Sequence, residues 1–379
     1  MTKVVVVGGG VMGASTAYHL AARGCSDVTL LDKQAFFGQG ATGKCAGGIR
    51  YQFSTEVNIR LSQKSLPMLD EFEEITGQTA QVRHCGYLLL LTREEDIAAF
   101  RKNVELQHRL GVMTEWLTPD DVRLKVPRMR THDVLAATFH QKDGLADPSS
   151  VVIGYVNSAR RLGVRCLTEV DVTGIELSGN RVSGVTTNRG TIAAEAVVNA
   201  AGPWSALVGR MAGVELPVVP IRRQMLTTTP LPDIPADFPF TVDFAHSLYF
   251  HREGDGLLTG QSNPSEKPGF DESVDEEWEL TALENAIKRL PLLEKASRAS
   301  HWAGLYEVTP DAHPIIGRTP VEGFYVVTGF SGHGFMHGPI CGLLMAEEIL
   351  DGKATSVDIS SLGLSRFAEG RLIREYNVI

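Results

Sequence analysis

Residues 4–7 form an unbroken valine run that ends on Gly8-Gly9-Gly10-Val11-Met12-Gly13. Such a run reads as a strand buried on both faces, and the glycines as a tight turn into a helix. A second apolar run closes on Asp32. Helical spacing at Leu66, Leu69 and Phe72 predicts a helix between Thr55 and Thr76. A strand is expected at 86–91. After it comes a helix capped by Thr92, with Glu95 reaching back and Ile97, Phe100 and Val104 on its apolar face. Thr118-Pro119 and Asp147-Pro148 each read as an N-cap followed by proline at the first helical position.

Farther along, alternation predicts strands at 165–170, 172–177, 181–187 and 190–194, and an apolar strand at 196–200 that stops on Gly202-Pro203-Trp204. Residues 218–260 read as β-rich with proline breaks, and 280–290 as a helix whose apolar positions are Leu280, Leu283, Ile287 and Leu290. The last units are a strand at 323–328, a glycine turn at 329–334 and an apolar helix at 339–350. Nucleotide-type segments thus lie at the start, middle and end, with β-rich and helical segments between them. That order implies two interleaved lobes, each discontinuous, of mixed α/β and α+β class. Segments 1–80, 142–217 and 303–379 would form a Rossmann-type cofactor lobe, and 81–141 and 218–302 a β-rich substrate lobe.

Composition narrows the options. A chain of 379 residues with net charge -9 repels nucleic acid and anionic lipid, so an anionic substrate must be drawn by a local cation. The longest apolar runs, such as 87–91, are far shorter than the about 18 residues a membrane span requires. Five scattered cysteines form neither a CxxC nor a metal-ligand spacing, so no disulfide framework and no metal site is expected. Met1-Thr2-Lys3 leads directly into the first strand, and the expectation is a cytoplasmic protein in a reducing compartment.

Two glycine turns carry the chemistry. In the first, Gly8 permits the turn, Gly10 lets a pyrophosphate approach the backbone and Gly13 lets helix lie close to strand. Asp32 would then hydrogen-bond ribose hydroxyls. This motif says dinucleotide without choosing between NAD and FAD. The second, Gly329-Phe330-Ser331-Gly332-His333-Gly334, aims backbone N–H groups at an electron-rich atom, for which a flavin carbonyl is the natural target. The same glycines would also serve a bare strand-to-helix connection. Arg50 follows a glycine-rich loop, where its guanidinium could clamp a carboxylate or join a generic ion pair. Tyr249 and His251 share one face of a strand; they and His333 are site candidates or satisfied core residues. No GxSxG elbow, HExxH or P-loop lysine is present, so the cofactor must carry the reaction.

Gly8 to Gly13, Val198-Asn199-Ala200-Ala201-Gly202-Pro203-Trp204 and Gly329 to Phe335 together resemble the D-amino-acid-oxidase-type flavoproteins, across essentially the whole chain. Lys44-Cys45-Ala46-Gly47-Gly48-Ile49-Arg50, Trp302 to Tyr306 and Thr309-Pro310-Asp311 resemble most the sarcosine oxidase β subunit and the dye-linked L-proline dehydrogenase β subunit. The resemblance implies FAD, with Gly8, Gly10, Val11, Met12, Gly13, Asp32, Lys33, Thr42, Lys44, Cys45, Ala46, Gly47, Val170, Ala201, Gly202, Trp204, Gly304, Gly332, His333, Gly334, Phe335 and Met336 around it. It also implies oxidation of a small amino acid through its carboxylate and neutral amine, with Arg50 on the carboxylate and Tyr249, His251, His333 and Met336 nearby.

Departures from the pattern sharpen these expectations. Gly304 stands where monomeric sarcosine oxidases carry the cysteine of covalent FAD, so FAD is expected to be noncovalent. Met336 replaces the lysine of their GFSGHGFK motif, and Leu258 falls at a lysine linked to oxygen activation, which leaves room for a dehydrogenase. The histidine of covalent FMN falls near Pro148, so FMN is expected only at a subunit interface. A sarcosine-like substrate leads. The alternatives are an L-proline dehydrogenase subunit of a hetero-oligomer and a flavin-binding relay subunit with little activity of its own.

Overall fold

The valine run at the N-terminus becomes an inner strand of a six-stranded sheet. In the computed structural model, which describes residues 2–378, the order is Ile315–Arg318, Phe324–Thr328, Ala196–Asn199, Lys3–Val7, Asp27–Leu31 and Arg165–Leu167. All pairings are parallel except the first. Helices Val11–Ala22, Pro148–Arg161 and Gly334–Leu350 contribute to the core on one face. A three-stranded antiparallel unit, Val172–Ser178, Arg181–Thr187 and Gly190–Ala193, contributes to the other. With apolar packing on both sides, the central strands need no polar alternation.

Helices Val11–Ala22 and Gly334–Leu350 cross at glycines. A Cβ on Gly338 would lie 2.4 Å from Val11 Cγ2, and one on Gly342 would lie 2.1 Å from Ser15 Oγ. The second helix begins five residues before Pro339, which the sequence reading places at its start. Proline is tolerated inside this helix at the loss of one backbone donor, and the Pro339 carbonyl accepts a hydrogen bond from Ser15 Oγ at 3.1 Å.

The second sheet has eight strands, in the order Arg298–Val308, Val219–Thr228, Gly256–Gln261, Leu248–Glu253, Phe240–Asp243, Tyr87–Leu91, Ala136–His140 and Glu115–Leu117. One face holds Leu88, Leu90, Phe250 and Leu257 in a closed core. The opposite face carries Tyr87, Met225, Phe240 and Tyr249 toward the first sheet. Because Arg298–Val308 pairs along its length with Val219–Thr228, the chain leaves this sheet after 308 rather than at 303.

Several local expectations change. Thr92 is not a cap: the helix Glu94–Arg109 starts one residue later, with Arg93 at the N-cap and no side-chain bond there. Thr118 and Asp147 do cap, through Asp121 N and Ser150 N. The helix predicted from Thr55 to Thr76 breaks at Glu71 into Glu56–Asp70 and Phe72–Thr76. The strand predicted at 165–170 pairs only over Arg165–Leu167, because Glu169 turns into left-handed backbone at φ 55°. On Glu276–Arg289, Leu280 faces solvent while Glu279 and Arg289 are buried. Those charges are matched by Arg298 and His301 on one side and by Asp133 and Asp243 on the other. No described helix is long and apolar enough to cross a membrane.

Candidate active site

A cleft runs between the two sheets, with a cavity volume of about 280 Å³. Its dinucleotide end is set by glycines that nothing else could replace. Gly8 turns at φ +107°, and a Cβ there would lie 2.3 Å from the Ala200 carbonyl; a Cβ on Gly13 would lie 1.8 Å from the Gly8 carbonyl. The helix therefore starts hard against the strand. Gly10 is its N-cap and offers no side chain. Thr42 Oγ1 accepts from Val11 N at 3.2 Å and closes one side of this nest. Asp32 accepts from Gly9 N at 2.6 Å and Gln34 N at 2.7 Å, and burial raises its pKa. Lys33 Nζ lies 3.5 Å over the Trp204 ring. Val170, Ala201 and Gly202 line the same cleft.

The other glycine turn sits across from Tyr306. Gly329, Ser331 and Gly332 all take left-handed backbone, at φ 80°, 50° and 100°. A Cβ on Gly332 would lie 2.3 Å from the Tyr306 ring. No side chain caps helix Gly334–Leu350, so its first turn keeps N–H groups for a ligand. Gly332, His333, Gly334, Phe335 and Met336 all line the cleft. Beneath the turn, Glu307 accepts from Thr328 Oγ1 at 2.8 Å and Phe330 N at 3.4 Å, and burial pushes its pKa up.

Arg50 reaches the cleft, but its guanidinium is not wholly free. It is 3 % exposed and donates to the carbonyls of Gln52 and Asn377, 4.0 Å from the centre of the Phe53 ring. No described carboxylate pairs with it. Tyr249 lines the cleft with its hydroxyl protonated, its pKa raised by burial. His333 also lines it, 2 % exposed, with both ring nitrogens unpartnered. His251 does not. It stacks on Phe240 at 5.1 Å, and its Nδ1 meets the Arg252 carbonyl, so Phe240 stands between it and the cavity. Gly13 likewise acts from behind the wall, through close packing. Lys44, Cys45, Ala46 and Gly47 line the cleft opposite Gly304. The Lys44 stem fills the space of a residue-304 side chain, with a Cβ there only 2.9 Å from Lys44 Cβ. One residue the sequence reading misses is Arg223, an inward arginine on Val219–Thr228.

The buried imidazoles make stability pH-dependent. Burial lowers His251 and His19 from 6.5 to about 4 and His337 to about 3, and drives His333 well down. The unfolded chain therefore takes up protons first on acidification. Their full contribution is present above the unfolded value and is lost as pH falls toward the folded one, at about 1.4 kcal/mol per ring per pH unit. Asp32 and Glu307, raised by burial, act in the opposite sense. With more rings than raised acids, the melting temperature is expected to drop between pH 7 and 5; a flat profile would contradict neutral buried rings.

These features fit FAD. The two uncapped helix starts suit a pyrophosphate and a polarised ring carbonyl, Asp32 suits ribose, and the tight glycines leave backbone where side chains would block approach. Residues 3–348 match the family described as FAD dependent oxidoreductase. The chain belongs to that family. It is 31 % identical to human mitochondrial sarcosine dehydrogenase over 382 residues, covering 96 % of this chain and 41 % of that protein. It is 29 % identical to the sarcosine oxidase subunit beta of Rhodobacter capsulatus, covering 98 % and 90 %. The structure of L-proline dehydrogenase from P. horikoshii superposes with a TM-score of 0.91 at 33 % identity, covering 98 % and 99 % of the two chains. The chain spans less than half the length of the mitochondrial sarcosine and dimethylglycine dehydrogenases it matches.

Proposed function

We propose that the chain oxidises a secondary amino acid of the N-substituted glycine type, for which sarcosine is the first compound to test. The observation that carries this is Arg50: a buried guanidinium without a carboxylate partner, on the same cleft as both glycine turns. A substrate carboxylate supplies the missing charge in charge-assisted hydrogen bonds. FAD, when bound along this cleft, would supply the two-electron acceptor for the hydride lost from the substrate's Cα–H. The amine must be neutral for its lone pair to assist. The nearby guanidinium charge favours that form, since a like charge disfavours an ammonium. Loss of hydride and of the N–H proton leaves an imine, which water hydrolyses.

A second reading takes L-proline as substrate and this chain as one subunit of a larger assembly. It is supported by the likeness to the P. horikoshii enzyme and by the relative named as a beta subunit. Anaerobic mixing of the flavin-loaded protein with sarcosine and with proline separates the two by the rate of bleaching. Readmitting air then separates oxidase from dehydrogenase behaviour. Failure of every amino acid to bleach the flavin would overturn the proposal and favour a relay subunit. Arg50→Ala is expected to raise KM by about tenfold to hundredfold, since a bond to a charged group is lost, while FAD stays bound. An unchanged KM would take the carboxylate off Arg50.

A further inference from the structure

Arg222 and Arg223 are neighbours on strand Val219–Thr228 and point opposite ways. The outward Arg222 is neutralised three times over, by Glu266 at 3.1 Å, Asp271 at 3.0 Å and Asp275 at 3.7 Å. The inward Arg223 has no described carboxylate within 4.0 Å. Its Nη1 donates to the Arg222 carbonyl at 2.9 Å, and its buried Nε has no partner at all. Arg223 is half-buried and lines the cleft, so an anion bound there would meet a charge that has no described counter-ion.

The two guanidiniums without a described carboxylate partner stand against different rings of the one cleft: Arg50 is 4.0 Å from the Phe53 ring centre and 6.0 Å from that of Tyr87. The Arg223 guanidinium is 5.3 Å from the Tyr306 ring centre. The nearby Lys44 is already matched by Glu272 at 2.8 Å. One α-carboxylate on Arg50 would leave Arg223 uncompensated.

We propose that the cleft takes an amino acid bearing a second acidic group, with Arg50 receiving the α-carboxylate and Arg223 the distal one. This rests on the amino-acid reading above and narrows its substrate class to amino diacids, either acidic N-carboxyalkyl glycines or acidic side chains. Tyr249 and Tyr306, with hydroxyls kept protonated by burial, are donors for the distal group.

The test uses the flavin-loaded protein and two acids that lack the oxidisable amine: methoxyacetate, an analogue of sarcosine, and diglycolate, its diacid counterpart. Binding is read from perturbation of the flavin spectrum, independently of turnover. Diglycolate is expected to bind at least about tenfold tighter than methoxyacetate, the increment of one charge-assisted bond pair. Arg223→Gln should weaken diglycolate by at least about tenfold more than it weakens methoxyacetate, and Arg223→Lys should retain part of the preference. Equal affinity of the two acids, no binding of either, or a preference that survives Arg223→Gln overturns the proposal. If Arg223→Gln does not fold, the comparison in the native protein still decides. A diacid preference without bleaching by any amine would instead refute the oxidation reading and leave the two-cation cleft standing.

Discussion

A Gly13→Ala variant is expected to purify colourless. The added methyl would sit 1.8 Å from the Gly8 carbonyl and 3.3 Å from Val6 Cγ1. Gly8 cannot retreat, because its amide donates to the Leu31 carbonyl at 2.8 Å and its own α-carbon faces the Ala200 carbonyl. The helix Val11–Ala22 must move instead. Its other face is pinned by Gly338 and Gly342 at the crossing with Gly334–Leu350, so the movement also strains that contact. Overpacking of this kind costs about 1–3 kcal/mol. The larger loss is functional: the amides at residues 10–12 no longer converge where a pyrophosphate would lie. The bound-cofactor contribution to stability, about 2.7 kcal/mol at a hundredfold excess over Kd, disappears with it. The ratio of flavin to protein absorbance and the melting curve with and without added FAD check this. A yellow variant with native affinity would show that the turn is not the cofactor's anchor.

The cofactor half of the molecule was legible because its signals are local. Val4 to Val7, the glycines and Asp32 are close in sequence and specify strand, turn, helix and strand without help from elsewhere. The turn at 329–334 is equally self-contained. Substrate-side residues are different, since their roles depend on strand register. His251 shares a face with Tyr249, as period two requires, yet Phe240 on the neighbouring strand covers it. Arg223 was missed although the signal was present: Ile221, Arg223 and Met225 share parity, and an arginine among inward apolar positions marks a charge aimed into the molecule. Leu280 failed for a related reason. Periodicity gave the helix, but its buried face was decided by Arg289 and Glu279, whose partners lie on distant segments.

Arg366→Met is expected to lower stability by about 3–5 kcal/mol, the usual effect of removing one partner from a buried ion pair. Arg366 is fully buried, and its guanidinium donates to both Asp311 carboxylate oxygens, at 2.8 and 3.0 Å, and to the Leu362 and His313 carbonyls. Burial alone would raise the Asp311 pKa; Arg366 holds it below the usual range. Without Arg366, the carboxylate is stranded and its pKa must rise. The deficit is then largest where Asp311 would be ionised and shrinks as falling pH protonates it. Native and variant melting curves should therefore converge on acidification, which a general packing defect would not produce. Asp311→Leu added to Arg366→Met should recover part of the loss by removing the stranded charge. The effect also reaches the cleft, because Thr309 links this loop to the glycine turn through the Ser331 hydroxyl at 3.2 Å. Weaker FAD binding should accompany the single variant and ease in the double. Parallel melting curves from pH 8 to 5, with no rescue by Asp311→Leu, would show that the pair contributes shape rather than charge.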